Sequence, residues 1–178
     1  MQLPKLNFKE DFVFDIKKDK DTFFIYDLVR KSWLVLTPEE WVRQHFAHYF
    51  IKVKKYAPSA LILEKKLEVN GTLKRIDLLI TEKTMPKILV ELKAPHIKLT
   101  QETFEQIARY NSVIEAKEII LSNGIQHIEA EYIEEKYNSQ YVSDKFTVRE
   151  MKVQEFQDEI NKVKTFFTYS KVNISQAF

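Results

Sequence analysis

The chain has 178 residues, 44% of them hydrophobic and 30% charged, which is the composition of a globular protein with a core of its own. It has no cysteine, which excludes disulfide scaffolds, thiolate zinc sites and cysteine nucleophiles. The formal charge of +2 requires any basic surface to be local, and the two glycines exclude glycine-rich phosphate loops, so we expect no ATP site.

The first third of the chain predicts a hairpin followed by a helix. Residues 12–14 and 22–28 resemble two short strands on either side of the charged cluster at 17–21. Thr37, Pro38 and Glu40 then form a helix start with a capping box, and apolar residues at helical spacing extend the helix to about Lys55.

The middle of the chain predicts strands and a second helix. The alternation over residues 61–69 indicates a half-buried strand, Asn70-Gly71 a hairpin turn, and 73–81 the next strand. A loop containing Met85-Pro86 leads to a strand at 88–94. We expect a helix from Thr100 to about Ala116, and then strands at 118–121 and 128–133.

The order of these elements is helix, three-strand meander, helix and strand. It predicts an α/β sandwich with a mixed sheet rather than a doubly wound parallel sheet. We expect one domain over residues 1–178, with a hairpin extension at 1–36, a core at 37–133, and a loop and helix at 134–178. The helix is predicted over 150–168 and the loop over 134–146.

The run Ile88-Leu89-Val90-Glu91-Leu92-Lys93 carries the strongest chemical signal. Glu91 and Lys93 are two apart on a largely apolar strand and therefore point to one face. If the preceding strand pairs with this one, Asp77 meets Glu91. The two carboxylates could hold a Mg²⁺ ion that binds a substrate phosphate. Lys93 would add a positive charge near the attacking water or the phosphoryl group. The alternative is an ordinary strand end with a surface ion pair between Glu91 and Lys93.

The second helix offers Gln106 and Tyr110, four residues apart on one face. They could contact a metal-bound water, Lys93 or a DNA phosphate, and neighbouring Arg109 could contact a phosphate. The alternative for Gln106 and Tyr110 is that they lie on a solvated helix face and share a side-chain hydrogen bond.

The first helix offers Glu40, which the capping box explains without any function and which could instead reach a metal site at the sheet. Glu39 is the lesser candidate on that helix. His45 and His48 have a spacing that zinc sites use, but no third ligand is evident, so we interpret them as part of the apolar face. Ser122 lacks a nucleophile-elbow motif, and nothing specific supports a role for His96.

Several of these motifs occur together in one known family. The run from Thr37 to Gln44 is followed by Arg75-Ile76-Asp77, Val90-Glu91-Leu92-Lys93, Gln106 to Asn111, and Leu121 to Gly124. Over about residues 25–135 the chain resembles the N-terminal nuclease domain of type I restriction enzyme R subunits, within the PD-(D/E)XK nuclease superfamily. The resemblance implies a restriction-endonuclease-like αβββαβ core, with a mixed central sheet flanked by helices.

The resemblance also implies roles for single residues. Asp77 and Glu91 would bind the metal, Lys93 would be the catalytic lysine, and Gln106 and Tyr110 would match the QxxxY motif. Glu40 would match the helix glutamate of many members and add to the metal site. The reaction would be Mg²⁺-dependent cleavage of DNA, with Mn²⁺ as a substitute. Ile76 replaces the proline that often precedes the aspartate.

Three hypotheses follow. The first is a Mg²⁺-dependent deoxyribonuclease acting in restriction, defence or repair. The second is a module that kept the fold and binds nucleic acid or a partner without catalysis. The third is a nuclease that needs a motor or specificity protein in trans; a homodimer is a further partner that the superfamily suggests. With no signal peptide and no apolar run of about 20 residues, we expect a cytoplasmic protein without membrane contact.

Overall fold

The computed structural model describes residues 3–69, 71–133, 145–150 and 174–176, with side chains described as far as Glu131. These residues form a small N-terminal sheet, a seven-stranded sheet with a helix on each face, and a separate two-stranded hairpin. The predicted α/β architecture with a mixed sheet and flanking helices is confirmed.

The N-terminal sheet has three antiparallel strands: β1 (Ile16–Asp19), β2 (Thr22–Asp27) and β3 (Ser32–Val35). The second predicted strand is confirmed, but the first was placed too early, at residues 12–14. Phe12 and Phe14 instead pack their rings against His45 and His48 of the following helix. The apolar character of those residues therefore reflects packing against the helix rather than strand pairing.

The first helix, α1 (Pro38–His48), begins as predicted, because Oγ1 of Thr37 accepts a hydrogen bond from the amide of Glu40 at 3.0 Å. It continues as one stretch of π-helix (Tyr49–Val53), close to the predicted end. A short 3₁₀ turn (Pro58–Ala60) then leads into the main sheet.

The main sheet has seven strands: β4 (Leu61–Leu63), β7 (Leu78–Glu82), β8 (Met85–Leu92), β9 (Glu118–Ser122), β10 (His127–Ile133), β11 (Lys145–Glu150) and β12 (Ile174–Gln176). Their order across the sheet is β12-β11-β10-β9-β8-β7-β4. The pairs β8–β9 and β11–β12 are parallel and the others antiparallel, so the sheet is mixed.

Two predicted strands are each divided in two. The strand expected over 61–69 breaks at Glu64, whose φ of 50° turns the chain into β5 (Lys66–Val69). The strand expected over 73–81 breaks at Ile76 and Asp77, between β6 (Thr72–Arg75) and β7. β5 and β6 pair with each other on either side of residues 70–71, which confirms the predicted hairpin.

Other boundaries differ as well. Met85 and Pro86 lie in β8 rather than in a loop, next to an irregularity in the pairing with β7 where proline is tolerated. Residues 145–146 of the predicted loop and Glu150 of the predicted helix belong to β11. The rest of the predictions for 134–144 and 151–168 lie outside the described residues.

The two helices cover opposite faces of the sheet. Alternate residues of β7 and β8 pack on one face against α1 and the π-helical stretch that follows it, where Val42, Phe46 and Phe50 are buried. The intervening residues pack on the other face against α2 (Gln101–Ile114), where Phe104 and Ile107 are buried. The strand ends at Asp77 and Glu91 therefore lie within reach of residues from both helices. No helix in the described part of the chain is long and apolar enough to cross a membrane.

Candidate metal-binding site

Asp77 directly precedes β7, whose first residue, Leu78, pairs with Val90 of β8. This antiparallel register places Asp77 beside Glu91, as the sequence predicted for paired strands. Oδ2 of Asp77 accepts a hydrogen bond from the amide of Leu92 at 2.8 Å, and the residue is 8% exposed. The bond across the two strands fixes the orientation of this carboxylate.

Glu91 and Lys93 lie on one side of the strand end. Nζ of Lys93 donates a hydrogen bond to Oε1 of Glu91 at 2.7 Å. Glu91 is only 4% exposed, so the pair is not the surface ion pair that we considered as the alternative. Burying a carboxylate is costly, and the neighbouring ammonium offsets part of that cost.

The second helix contributes Gln106 and Tyr110. Nε2 of Gln106 lies 3.2 Å from Oε1 of Glu91 and 2.9 Å from the hydroxyl of Tyr110, and donates to both. The two residues are therefore brought to the carboxylate site and do not form the solvated face that was the alternative. Gln106 orients Glu91, and Tyr110 orients Gln106.

A third group of side chains comes from α1. Arg43, which is 4% exposed, donates to Oδ1 of Asp77 at 2.8 Å, to Oε1 of Glu39 at 2.9 Å and to Oε2 of Glu40. The other oxygen of Glu40, Oε1, accepts from Nε2 of Gln44 at 2.8 Å. Glu40 is thus buried and points toward the site, but its carboxylate is held by Arg43 and Gln44.

The buried charges shift several pKa values. Burial and the neighbouring charge of Asp77 raise the pKa of Glu91 to about 7, although the hydrogen bond and the charge of Lys93 lower it in part. Burial by itself would lower the pKa of Lys93, but the hydrogen bond and charge of Glu91 outweigh this and raise it. The pKa of Arg43 is raised in the same way, since Asp77 and Glu40 outweigh the effect of burial.

The donor chemistry fits a hard divalent cation. Asp77 and Glu91 supply carboxylate oxygens, which are the ligands that Mg²⁺ prefers, and Mg²⁺ commonly keeps several waters beside one or two carboxylates. The raised pKa of Glu91 results chiefly from burial, and the neighbouring charge of Asp77 adds to it. Within the described residues no cluster of three or more acidic or histidine side chains is arranged to ligate an ion.

The side chains of His45, His48, Arg109 and Ser122 have partners other than the side chains of this site. Nδ1 of His45 and Nδ1 of His48 face the carbonyls of Trp41 and Gln44, and both rings pack among aromatic side chains. His96 is exposed, and Arg109 pairs with Glu105 at 4.0 Å on the exposed face of α2. Ser122 contacts Nδ1 of His127 at 2.9 Å, but its hydroxyl is fully buried in the turn before Gly124.

Sequence reasoning missed Arg43 and Gln44 as members of the site. The signal was present in part, because Arg43 lies four residues after Glu39 and three after Glu40, the spacing of ion pairs on a helix. The contact with Asp77 spans 34 positions of the chain and has no local signature.

The family profile described as the type I restriction enzyme R protein N terminus matches residues 38–145, more than half of the chain. That range contains both helices and every residue of the site described above. No curated protein and no solved structure gives a significant match. The motifs that suggested this family from the sequence are thus supported by an independent comparison, and the chain belongs to the family of type I restriction enzyme R protein N-terminal domains.

Proposed function

We propose that this protein is a Mg²⁺-dependent nuclease that hydrolyses DNA phosphodiester bonds. The observation that carries the proposal is the buried pair Asp77 and Glu91 at adjacent strand ends, with the ammonium of Lys93 bonded to Glu91. Membership of a restriction-enzyme family gives this arrangement its context and suggests DNA as the partner. Mn²⁺ would substitute for Mg²⁺, because both accept oxygen ligands.

Each side chain would have a separate task. Asp77 and Glu91 would hold the divalent ion, which when bound polarises a phosphate oxygen and lowers the pKa of a water. Lys93 would place a positive charge beside the phosphate and the attacking water, where negative charge develops. Gln106 would keep the Glu91 carboxylate oriented, and Tyr110 would hold Gln106.

The test is a cleavage assay on supercoiled, linear, single-stranded and branched DNA with Mg²⁺ or Mn²⁺. The variants are Lys93→Ala and Glu91→Gln, and the matched control is Glu82→Gln, which changes an exposed glutamate at the far end of β7. We expect cleavage by the wild type and by the control, and none by the two site variants.

Other results would favour the other hypotheses. DNA binding that is sensitive to salt and unchanged by Asp77→Asn, without cleavage of any DNA form, would indicate a binding module. Cleavage that appears only when a motor or specificity protein is added would indicate a nuclease that acts with a partner. Equal cleavage by the wild type and Glu91→Gln would refute the proposed site.

A further inference from the structure

Arg43 contacts both acidic side chains of the first turn of α1. Its guanidinium bridges Glu39 and Glu40 on the helix to Asp77 at the start of β7. Arginine does not lose its proton in proteins, so this positive charge is permanent. A fixed monovalent cation therefore already occupies the space between α1 and Asp77.

The carboxylates on that side have few oxygens left for a metal. Oδ1 of Asp77 accepts from Arg43 and Oδ2 accepts from the amide of Leu92. Both oxygens of Glu40 are engaged, one by Arg43 and one by Gln44. Asp77 can still share its remaining lone pairs with an ion on the side of Glu91, whereas the carboxylate of Glu40 is bound to Arg43 and Gln44.

The net charge of the acidic and basic side chains at the site also fits a single divalent cation. Glu39, Glu40, Asp77 and Glu91 carry four negative charges when ionised, and Arg43 and Lys93 carry two positive charges, which leaves two negative charges. One divalent cation neutralises the cluster. A second would leave it with an excess of two positive charges, and the guanidinium would repel that ion at close range.

We propose that Arg43 takes the place of a second metal ion, so that the site binds one divalent cation between Asp77 and Glu91 and Glu40 is a ligand of Arg43 rather than of the metal. The inference rests on the proposed metal site and adds the number of divalent ions that the site binds. Two-metal nucleases place a second ion about 3.5–4 Å from the first, where it stabilises charge on the leaving oxygen. Arg43 is a positioning residue here, since it acts through Asp77.

The test is the stoichiometry of Mn²⁺ binding to the full chain, measured by electron paramagnetic resonance and isothermal titration calorimetry in the absence of DNA. The wild type should bind one ion, and Glu91→Gln should lose it. Glu40→Gln should still bind one ion, with an affinity within about twofold of the wild type. Arg43→Gln should bind a second ion, or bind the first at least about tenfold more tightly, because the competing cation is gone. Arg109→Gln is the control, since Arg109 is an exposed arginine away from Asp77.

The outcomes separate this inference from the proposed function. Two ions in the wild type, or a tenfold loss of affinity in Glu40→Gln, overturns the role of Arg43 and leaves the metal site standing. A single ion of unchanged affinity in Arg43→Gln also overturns it. The absence of an ion in the wild type refutes the metal site itself. If Arg43→Gln does not fold, the wild type and Glu40→Gln still decide the question.

Discussion

Lys93 donates a hydrogen bond to Oε1 of Glu91 at 2.7 Å, and Gln106 of the second helix donates to the same oxygen. One buried carboxylate is thereby held by Lys93, which directly follows the end of β8, and by a residue fifteen positions further along the chain than Glu91. The position and the protonation of Glu91 are the features of this site that can be tested most directly.

We predict that metal affinity depends on pH through Glu91. Its pKa is raised to about 7, chiefly by burial, and the carboxyl must lose its proton to bind an ion. Mn²⁺ affinity should therefore rise by up to about tenfold per pH unit below about pH 7 and level off above it. Calorimetry in buffers of different ionisation enthalpy will measure the proton released. A flat profile would contradict the raised pKa.

The raised pKa of Glu91 also predicts how the stability of the metal-free protein changes with pH. The folded state holds the proton of Glu91 up to a higher pH than the unfolded state does, so deprotonation favours unfolding. This residue should make the free energy of unfolding fall as the pH rises from about 4.5 to about 7. Denaturant titrations of Glu91→Gln should lack this component, whereas those of the control Glu82→Gln should retain it.

We predict that replacing Lys93 lowers the rate of cleavage far more than it changes metal binding. Lys93→Gln should lose on the order of 100- to 1,000-fold in rate, because the variant lacks a charge placed where the reaction develops negative charge. Lys83→Gln is a suitable control, since Lys83 lies in the turn between β7 and β8, at the opposite end of the hairpin from the site. Single-turnover rates at saturating Mn²⁺ will separate chemistry from metal binding. Equal rates for the two variants would exclude a catalytic role for Lys93.

We predict that Gln106 supports metal binding by orienting Glu91. Gln106→Ala should weaken Mn²⁺ affinity by about 10- to 100-fold, as the loss of residues that orient metal ligands commonly does. Tyr110→Phe should have a smaller effect in the same direction, because its hydroxyl contacts Gln106 rather than Glu91. Gln101→Ala removes a glutamine that bonds Glu105 on the same helix and should leave the affinity unchanged.

We predict that His45 makes the protein sensitive to acid. Burial lowers its pKa to about 4, so the unfolded chain binds a proton more readily between about pH 6.5 and pH 4. The contribution of His45 to stability should fall in that window as the pH falls, by on the order of 3 kcal/mol, in the direction opposite to the contribution of Glu91. The pKa of His48 is lowered in the same direction, also chiefly by burial. His45→Leu should flatten the dependence in denaturant titrations, whereas His96→Gln, at an exposed position, should not.

Local signals in the sequence were enough to locate both helices and most strands. Thr37 and Thr100 each accept a hydrogen bond from an amide three residues later, so both helix starts are determined within a few residues. The apolar run that starts at Ile88 predicted a buried strand at 88–94, and the polar exceptions Glu91 and Lys93 indicated the candidate site. The strand itself ends at Leu92, just before Lys93. The pairing of Asp77 with this strand end followed from the short loop between two adjacent strands.

The tertiary structure decided what depends on contacts distant in sequence. The strand predicted over 61–69 breaks at Glu64, and the strand predicted over 73–81 breaks at Ile76 and Asp77. The two breaks lie side by side, since the amide of Glu64 donates a hydrogen bond to the carbonyl of Asp77. Arg43 reaches Asp77 because α1 packs across the face of β7 and β8, which no local pattern encodes. The burial that raises the pKa of Glu91 is likewise a property of the packed layers. The sequence by itself determined which residues could form a metal site, and the packing of two helices on one sheet decided which charges share it, because burial and long-range contacts exist only in the folded chain.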